Sequence, residues 1–322
     1  MARKRKGRDI SGILVIDKPS GMTSNGVLQK VKWLYQAQKA GHTGALDPIA
    51  TGVLPICLGE ATKFSQRLLD SDKRYVTRVQ LGEARDTGDI EGEVVESATI
   101  PSLTAPMIEA VLEQFRGEIT QVPPMYSALK HEGRKLYELA REGIEFDIKS
   151  KARQVSILNL TLVGFGDDYL ELDVTCTKGT YIRSLSEDVA KALGTLGYVA
   201  VLRRLAAGPY KQEMMITLEQ LQVLKPEGSE DYAAMDDRLL PTYTALESVP
   251  IIQVSLDQAR DLQFGRSIRA LDAGDKPLPQ VQLRLSHDQQ DYLVGLGEMD
   301  ATGHIALKRL VKVPQLTALF DS

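Results

Sequence analysis

The stretch LELDVTCTKGTYIRSLSEDVAKALG, residues 170–194, decides the fold class. Its first part alternates: Leu170, Leu172, Val174 and Cys176 share one face, the period of a half-buried strand. Its second part changes period. Leu185, Val189 and Leu193 recur at helical spacing before Gly194, and Ser184 and Glu187 have capping-box spacing. Lys178-Gly179-Thr180-Tyr181-Ile182-Arg183 therefore sits at a strand-to-helix corner, where side chains can be aimed into a cleft.

The same two periods recur outward from this corner. GILVID at 12–17 reads as a buried strand, and a helix starting near Ser24 carries Val27, Leu28, Val31, Leu34 and Tyr35 on one face. From His42 to Gly59 the pattern breaks into a Gly- and Pro-punctuated segment. Tyr75, Thr77, Val79 and Leu81 alternate as a strand, and another is expected at Glu93 to Glu96. Thr104 is placed to cap a helix with Pro106 in its first turn, an apolar stripe of Ile108, Val111, Leu112 and Phe115, and Gly117 at its end. Lys225 to Asp237 is polar and turn-rich and reads as a linker. Beyond Pro250 the runs IIQVS, QVQLRL, YLVGLGEM and HIALKRLV read as a small all-β module. The pattern is α+β followed by β.

Composition narrows the class. The 322 residues suit two domains, and 43% hydrophobic with 25% charged residues is ordinary globular composition. Two cysteines, Cys57 and Cys176, exclude a disulfide framework or a Cys-rich zinc site and fit a reducing, cytoplasmic compartment. No apolar run reaches the roughly 20 residues a membrane helix needs. Residues 1–10 form a basic arm with Arg3, Lys4, Arg5, Lys6 and Arg8; Asp17 and Lys18 interrupt the apolar run too early for a signal peptide. A net charge of −4 argues against a wholly basic nucleic-acid binder but not against a basic cleft.

Three residues could carry chemistry. Asp47, in Gly44-Ala45-Leu46-Asp47-Pro48, is restricted to extended backbone by Pro48 and displayed by a loop rich in glycine. Read alone, it is more readily a turn former. Arg183 could pair with a carboxylate and hold it ionised, or be an ordinary surface charge. Tyr75 could stack on an unpaired base, or be a core aromatic. His42, His131, His287 and His304 have no metal-ligand spacing, and no metal is expected. The acidic segment 86–92, DTGDIEG, lacks the calcium-loop pattern and reads as a solvated turn.

Read together, five stretches resemble the bacterial tRNA pseudouridine-55 synthases, the TruB family: GILVIDKPSGMTSN at 12–25, GHTGALDPIATGVLPICLGEATK at 41–63, DSDKRYVTRVQLG at 70–82, PPMYSALKHEGRKLYELAREG at 123–143 and CTKGTYIRSLSEDVA at 176–190. The order is specific and no motif position departs from the family's. The resemblance implies an α+β pseudouridine synthase domain over 11–245. Its central sheet is mixed, largely antiparallel and flanked by helices. A PUA-like RNA-binding β domain follows over 250–322. It implies Asp47 as nucleophile, Tyr75 as the ring that stacks on the flipped base and takes part in proton transfer from C5, and Arg183 as the partner of Asp47. His42, Tyr181 and Leu202 would line the nucleotide pocket, and Lys18 and Pro19 would support it. No cofactor is expected, because the isomerisation involves neither redox change nor net hydrolysis. The substrate would be the T arm of tRNA, bound by a monomer without an obligate protein partner. Phosphate contacts are expected from Lys130, Arg134, Lys135, Arg141 and Arg153 on a mobile arm, about 123–152, for which a solvated helix face is the plainer alternative. Two other functions compete: an RNA-folding protein with incidental synthase activity, and a guided synthase acting on rRNA.

Overall fold

The computed structural model describes residues 7–312 apart from 128, 145–146, 226–227, 229 and 271–275. Strand β1 (Gly12–Lys18) is followed by helix α1 (Ser24–Leu34), whose start is capped by the Thr23 side chain accepting from the Gly26 N–H. Val27, Leu28, Val31 and Leu34 are its buried face. Next come β2 (Ala40–His42), β3 (Thr51–Leu58), the short α2 (Ser65–Leu69) and β4 (Lys73–Leu81). The hairpin β5 (Glu83–Arg85) and β6 (Val94–Ser97) leads to α3 (Ala105–Leu112), capped by Thr104, and to β7 (Gly117–Gln121). A small hairpin, β8 (Lys130–His131) and β9 (Arg134–Lys135), runs into α4 (Leu136–Arg141). The long strands β10 (Arg153–Phe165) and β11 (Tyr169–Cys176) precede α5 (Ile182–Ala192), β12 (Gly197–Ala207), β13 (Tyr210–Lys211), α6 (Leu218–Val223) and α7 (Ala233–Asp236).

These strands make one mixed, largely antiparallel sheet in the order β1-β3-β12-β4-β11-β10-β7, with β2 on β3 and β13 on β12. Only β3 and β12 run parallel, meeting at Arg203–Thr51 and Arg204–Gly52. On its other side β12 pairs with β4, placing Arg204 opposite Tyr75. The late strand β12 thus joins the Asp47 loop to the Tyr75 strand. The inward side chains of β4, β11 and β12 pack with those of α1, α3 and α5 into the main core.

The second sheet follows the order β14 (Ile251–Gln253), β16 (Leu278–His287), β17 (Gln290–Met299), β18 (His304–Leu310), β15 (Ile268–Arg269). It has its own core around Val281, Leu283, Val294 and Ile305. It also carries a helix, α8 (Leu256–Gln263), opened by a capping box of Ser255 and Gln258 that strand alternation does not reveal. Ile13, Val15 and Phe64 of the large unit form one apolar cluster with Leu293, Leu296 and Val311 of the small one. No helix among the described residues is long and apolar enough to cross a membrane.

Three local readings of the sequence are corrected. The punctuated segment 42–59 ends in the buried strand β3 despite Pro55. The Pro55 carbonyl accepts from Thr43 N–H just past the end of β2, so the missing proline N–H falls where the neighbouring strand has stopped. The expected linker 225–237 is not free chain over its second half. Tyr232 and Met235 are buried in the main core, and the Tyr35 hydroxyl donates to the Met235 carbonyl at 2.6 Å. Ser184 and Glu187 do not cap α5, because the helix already begins at Ile182. The Gln121 side chain fastens its start instead, accepting from Tyr181 N–H at 2.7 Å and donating to the Tyr181 carbonyl at 3.0 Å. Residues 1–6 of the basic arm lie outside the described residues, while Arg8 is tied to Asp236 at 2.5 Å and stacks on Tyr232.

Candidate active site

Asp47 lies in a turn between β2 and β3, with Ala50 N–H donating to its carbonyl and Pro48 at the second turn position. Asp47 is therefore a turn residue, and the turn is clamped from outside. The Lys18 ammonium, fully buried, donates to the carbonyls of Pro19 at 2.9 Å, Pro48 at 3.0 Å and Ala50 at 2.6 Å. Ser24, in the first turn of α1, both donates to the Leu46 carbonyl at 3.0 Å and accepts from its N–H at 2.7 Å. Gly21 N–H donates to the Pro48 carbonyl. The Arg204 guanidinium donates from Nε to the Val53 carbonyl at 2.7 Å and from Nη2 to the Gly44 carbonyl at 3.2 Å.

Arg183, one residue into α5, reaches this turn. Its Nε is 2.9 Å from Asp47 Oδ2, off the hydrogen-bond line, and its Nη2 donates to Oδ1 at 3.3 Å. The remaining donors go to the carbonyls of Thr87 at 2.6 Å and Tyr126 at 2.9 Å. The Arg183 side chain is only 4% exposed while that of Asp47 is 37% exposed, so the carboxylate faces an opening and its partner lies behind it. The surrounding protein still desolvates Asp47 and pushes its carboxyl above the usual carboxylate value; Arg183 and Lys18 pull it down, and Asp89 adds to the rise.

The loop 86–92 is not a solvated turn. Gly88 carbonyl and Ile90 N–H pair with Val199, which buries Asp89 within 3.8 Å of Arg183 Nη1. Asp89 accepts from the Thr87 hydroxyl at 2.7 Å and from Glu91 N–H at 3.1 Å. Arg183 is thus shared by two carboxylates.

Tyr75 faces the same side of the sheet, its hydroxyl pushed up by burial and drawn down by Arg204. His42, at the end of β2, has a buried Nδ1 with no hydrogen-bond partner among the described residues; burial, then Arg204, hold the imidazole below its ordinary pKa and so neutral. Leu202 is buried in β12 opposite Thr77, and Tyr181 caps α5 with Arg153 stacked 5.0 Å from its ring. Arg153 also donates to the Gly179 carbonyl, so it sits at the α5 corner rather than out on the arm. Lys130, Arg134 and Arg141 are exposed on the hairpin and α4. Arg134 pairs with Glu142 at 2.5 Å, and Lys135 donates to the Tyr137 hydroxyl at 3.1 Å. A cleft of about 680 Å³ lined by Asp86, Met125, Tyr126, Ile144 and Asp147 separates this arm from the 86–92 loop.

Sequence reasoning passed over Ser24, Asp89, Gln121 and Arg204 as site residues. Only Arg204 left a signal: it shares the inward face of β12 with Leu202, an unusual place for an arginine.

Three family models match the chain in succession: "TruB family pseudouridylate synthase (N terminal domain)" at 32–182, "tRNA pseudouridylate synthase B C-terminal domain" at 183–247 and "Pseudouridine synthase II TruB, C-terminal" at 250–311. A protein of Vibrio vulnificus (strain YJ016) named tRNA pseudouridine synthase B is 48% identical over 315 residues, 97% of this chain and 98% of that protein. One of Aeromonas salmonicida (strain A449) with the same name is 48% identical over 318 residues, with 97% and 98% covered. Among solved structures, a chain of "Crystal Structure of a Cbf5-Nop10-Gar1 Complex" superposes with a TM-score of 0.69 at 28% identity, covering 94% of this chain and 84% of that one. Matched along nearly its whole length by these relatives and by successive family models, the chain belongs to the TruB family of pseudouridylate synthases.

Proposed function

We propose that the chain isomerises the uridine at position 55, in the T loop of tRNA, to pseudouridine, with Asp47 as the catalytic carboxylate. The observation that carries this reading is the Asp47–Arg183 pair, its carboxylate partly exposed and its arginine buried behind it. The reaction breaks C1′–N1, turns the uracil and joins C1′ to C5; the proton lost from C5 is balanced by one gained at N1. Asp47 supplies the nucleophile or base that such a route needs. Desolvation raises its basicity, and the Arg183 charge favours its ionised form.

The target base must leave its stack to reach a recessed carboxylate. Tyr75 is the aromatic platform for the flipped uracil and takes part in removal of the C5 proton. His42, Tyr181 and Leu202 line the nucleotide pocket, and Lys18 and Pro19 support it. Lys130, Arg134, Lys135, Arg141 and Arg153 contact phosphates of the T arm, which supplies affinity without base readout. Similarity to tRNA pseudouridine synthases at 48% identity favours a free tRNA substrate over a guided one. In this reading the chain works in the cytoplasm as a monomer.

The test is pseudouridine mapping on unmodified tRNA transcript. One modified T-loop uridine is expected, lost when that position is cytidine. No pseudouridine, or pseudouridine elsewhere only, would remove the proposed substrate assignment.

A further inference from the structure

Lys18, Ser24 and Arg204 all hold the Asp47 loop, and Arg204 differs from the other two in standing also beside Tyr75 in the sheet. Arg204 is 1% exposed and, like Lys18, pairs with no carboxylate among the described residues. A buried charge without a counter-ion costs stability, and neutral carbonyls compensate only in part. The guanidinium grips the loop at both ends, at the Gly44 carbonyl before Asp47 and the Val53 carbonyl after it. Strands β3 and β12 are pressed together there: a Cβ on Gly52 would stand 2.2 Å from the Arg204 carbonyl oxygen. On the opposite side Arg204 is the register partner of Tyr75, so the two side chains share one face of the sheet, and the guanidinium's charge draws the Tyr75 hydroxyl down against the rise that burial imposes.

We propose that Arg204 is a positioning residue of the isomerisation: its buried fork holds the Asp47 loop and the Tyr75 hydroxyl together, fixing the carboxylate and the phenol relative to one another across the flipped base. The inference rests on the roles given to Asp47 and Tyr75 above. A planar fork is needed because a lysine ammonium, a point charge on a flexible stem, cannot span these acceptors in one fixed geometry.

The experiment is a double-mutant cycle. Arg204→Lys and Arg204→Gln are each made in the wild-type and Tyr75→Phe backgrounds. Single-turnover pseudouridine formation at saturating tRNA and tRNA affinity are both measured. Tyr75→Phe alone is expected to slow the reaction about 10²-fold or more. Arg204→Lys in the wild type is expected to slow it about 10²-fold, the cost of misplacing a catalytic group by about 1 Å, with affinity changed less than about threefold. In the Tyr75→Phe background the same change is expected to cost less than about tenfold, because the hydroxyl it orients is gone. Equal costs in the two backgrounds would make Arg204 a structural residue and overturn the proposal, as would failure of both variants to fold and bind tRNA. Full activity of Tyr75→Phe would overturn the role of Tyr75 and this proposal with it. Wild type without pseudouridine formation would be the separate failure of the functional assignment.

Discussion

The Asp47 turn and the 123–152 arm are both irregular segments that meet at Arg183, yet they are held in different ways. The turn is fixed by buried side chains bonding to backbone: Lys18, Ser24 and Arg204 reach carbonyls on either side of Asp47. Each charge-assisted bond of this kind contributes about 1.5–3 kcal/mol and is costly to leave unmade. The arm is rooted by Arg183 at the Tyr126 carbonyl and by the buried Leu136 and Leu139, but the basic side chains nearer its tip have only surface partners, Arg134 with Glu142 and Lys135 with Tyr137. An exposed ion pair contributes about 0–1 kcal/mol, so a phosphate can replace it at little cost. Chemistry is assigned to the turn held by buried donors, and binding to basic side chains whose own partners are exposed.

The largest effect expected from this contrast is at Asp47. Asp47→Asn keeps the turn's shape and should lower single-turnover isomerisation by at least about 10⁴-fold while tRNA affinity stays within a few fold. Loss of affinity in parallel with rate would merge the two regions. Next is Arg183→Met, which leaves Asp47 and the buried Asp89 without their shared cation. Breaking such a pair costs up to about 3–5 kcal/mol of stability, read by thermal unfolding; activity should fall about 10²- to 10³-fold, because Asp47 loses the charge that orients it and favours its ionised form. A smaller loss would mean that water or Lys18 replaces the guanidinium.

Lys18→Met removes the buried donor to three carbonyls and should cost about 2 kcal/mol at pH 7, read by denaturant unfolding. This penalty should widen with pH. Burial lowers Lys18 to about 8, against the ordinary lysine value in the unfolded chain. Between about pH 8 and 10.4 the unfolded chain binds more protons, so wild-type stability rises with pH across that window. The Lys73 ammonium, also lowered to about 8 by burial, contributes in the same window and remains in the variant. The variant should therefore show a shallower rise, by on the order of 1–2 kcal/mol in total. The smallest effects are on the arm. Lys130→Ala and Arg134→Ala should each weaken tRNA binding a few fold and reduce the salt dependence of affinity by about one counter-ion. An unchanged salt slope would assign these side chains to a solvated face.

Features set by local pattern are legible in the sequence. The 170–194 stretch shows its strand and helix because burial on one face writes a period into neighbouring residues. The Asp47 turn was legible from Gly44 and Pro48, and its meeting with Arg183 only through resemblance to a family, since nothing local links the two. Asp89 was misread because its burial comes from backbone pairing of Gly88 and Ile90 with the distant Val199. Tyr232 and Met235 were misread as linker because their core contacts, Tyr35 among them, lie at the other end of the chain. Pro55 obscured β3 because its tolerance depends on where β2 stops.

The most direct test is the single-turnover rate of pseudouridine formation, at increasing tRNA concentration, for wild type, Asp47→Asn and the Lys130→Ala, Arg134→Ala double variant. The double variant should recover the wild-type rate at saturating tRNA, while Asp47→Asn should make no detectable pseudouridine at any concentration. An arm variant that stays slow at saturation, or pseudouridine formed by Asp47→Asn, would contradict the division between a fixed catalytic turn and a binding arm.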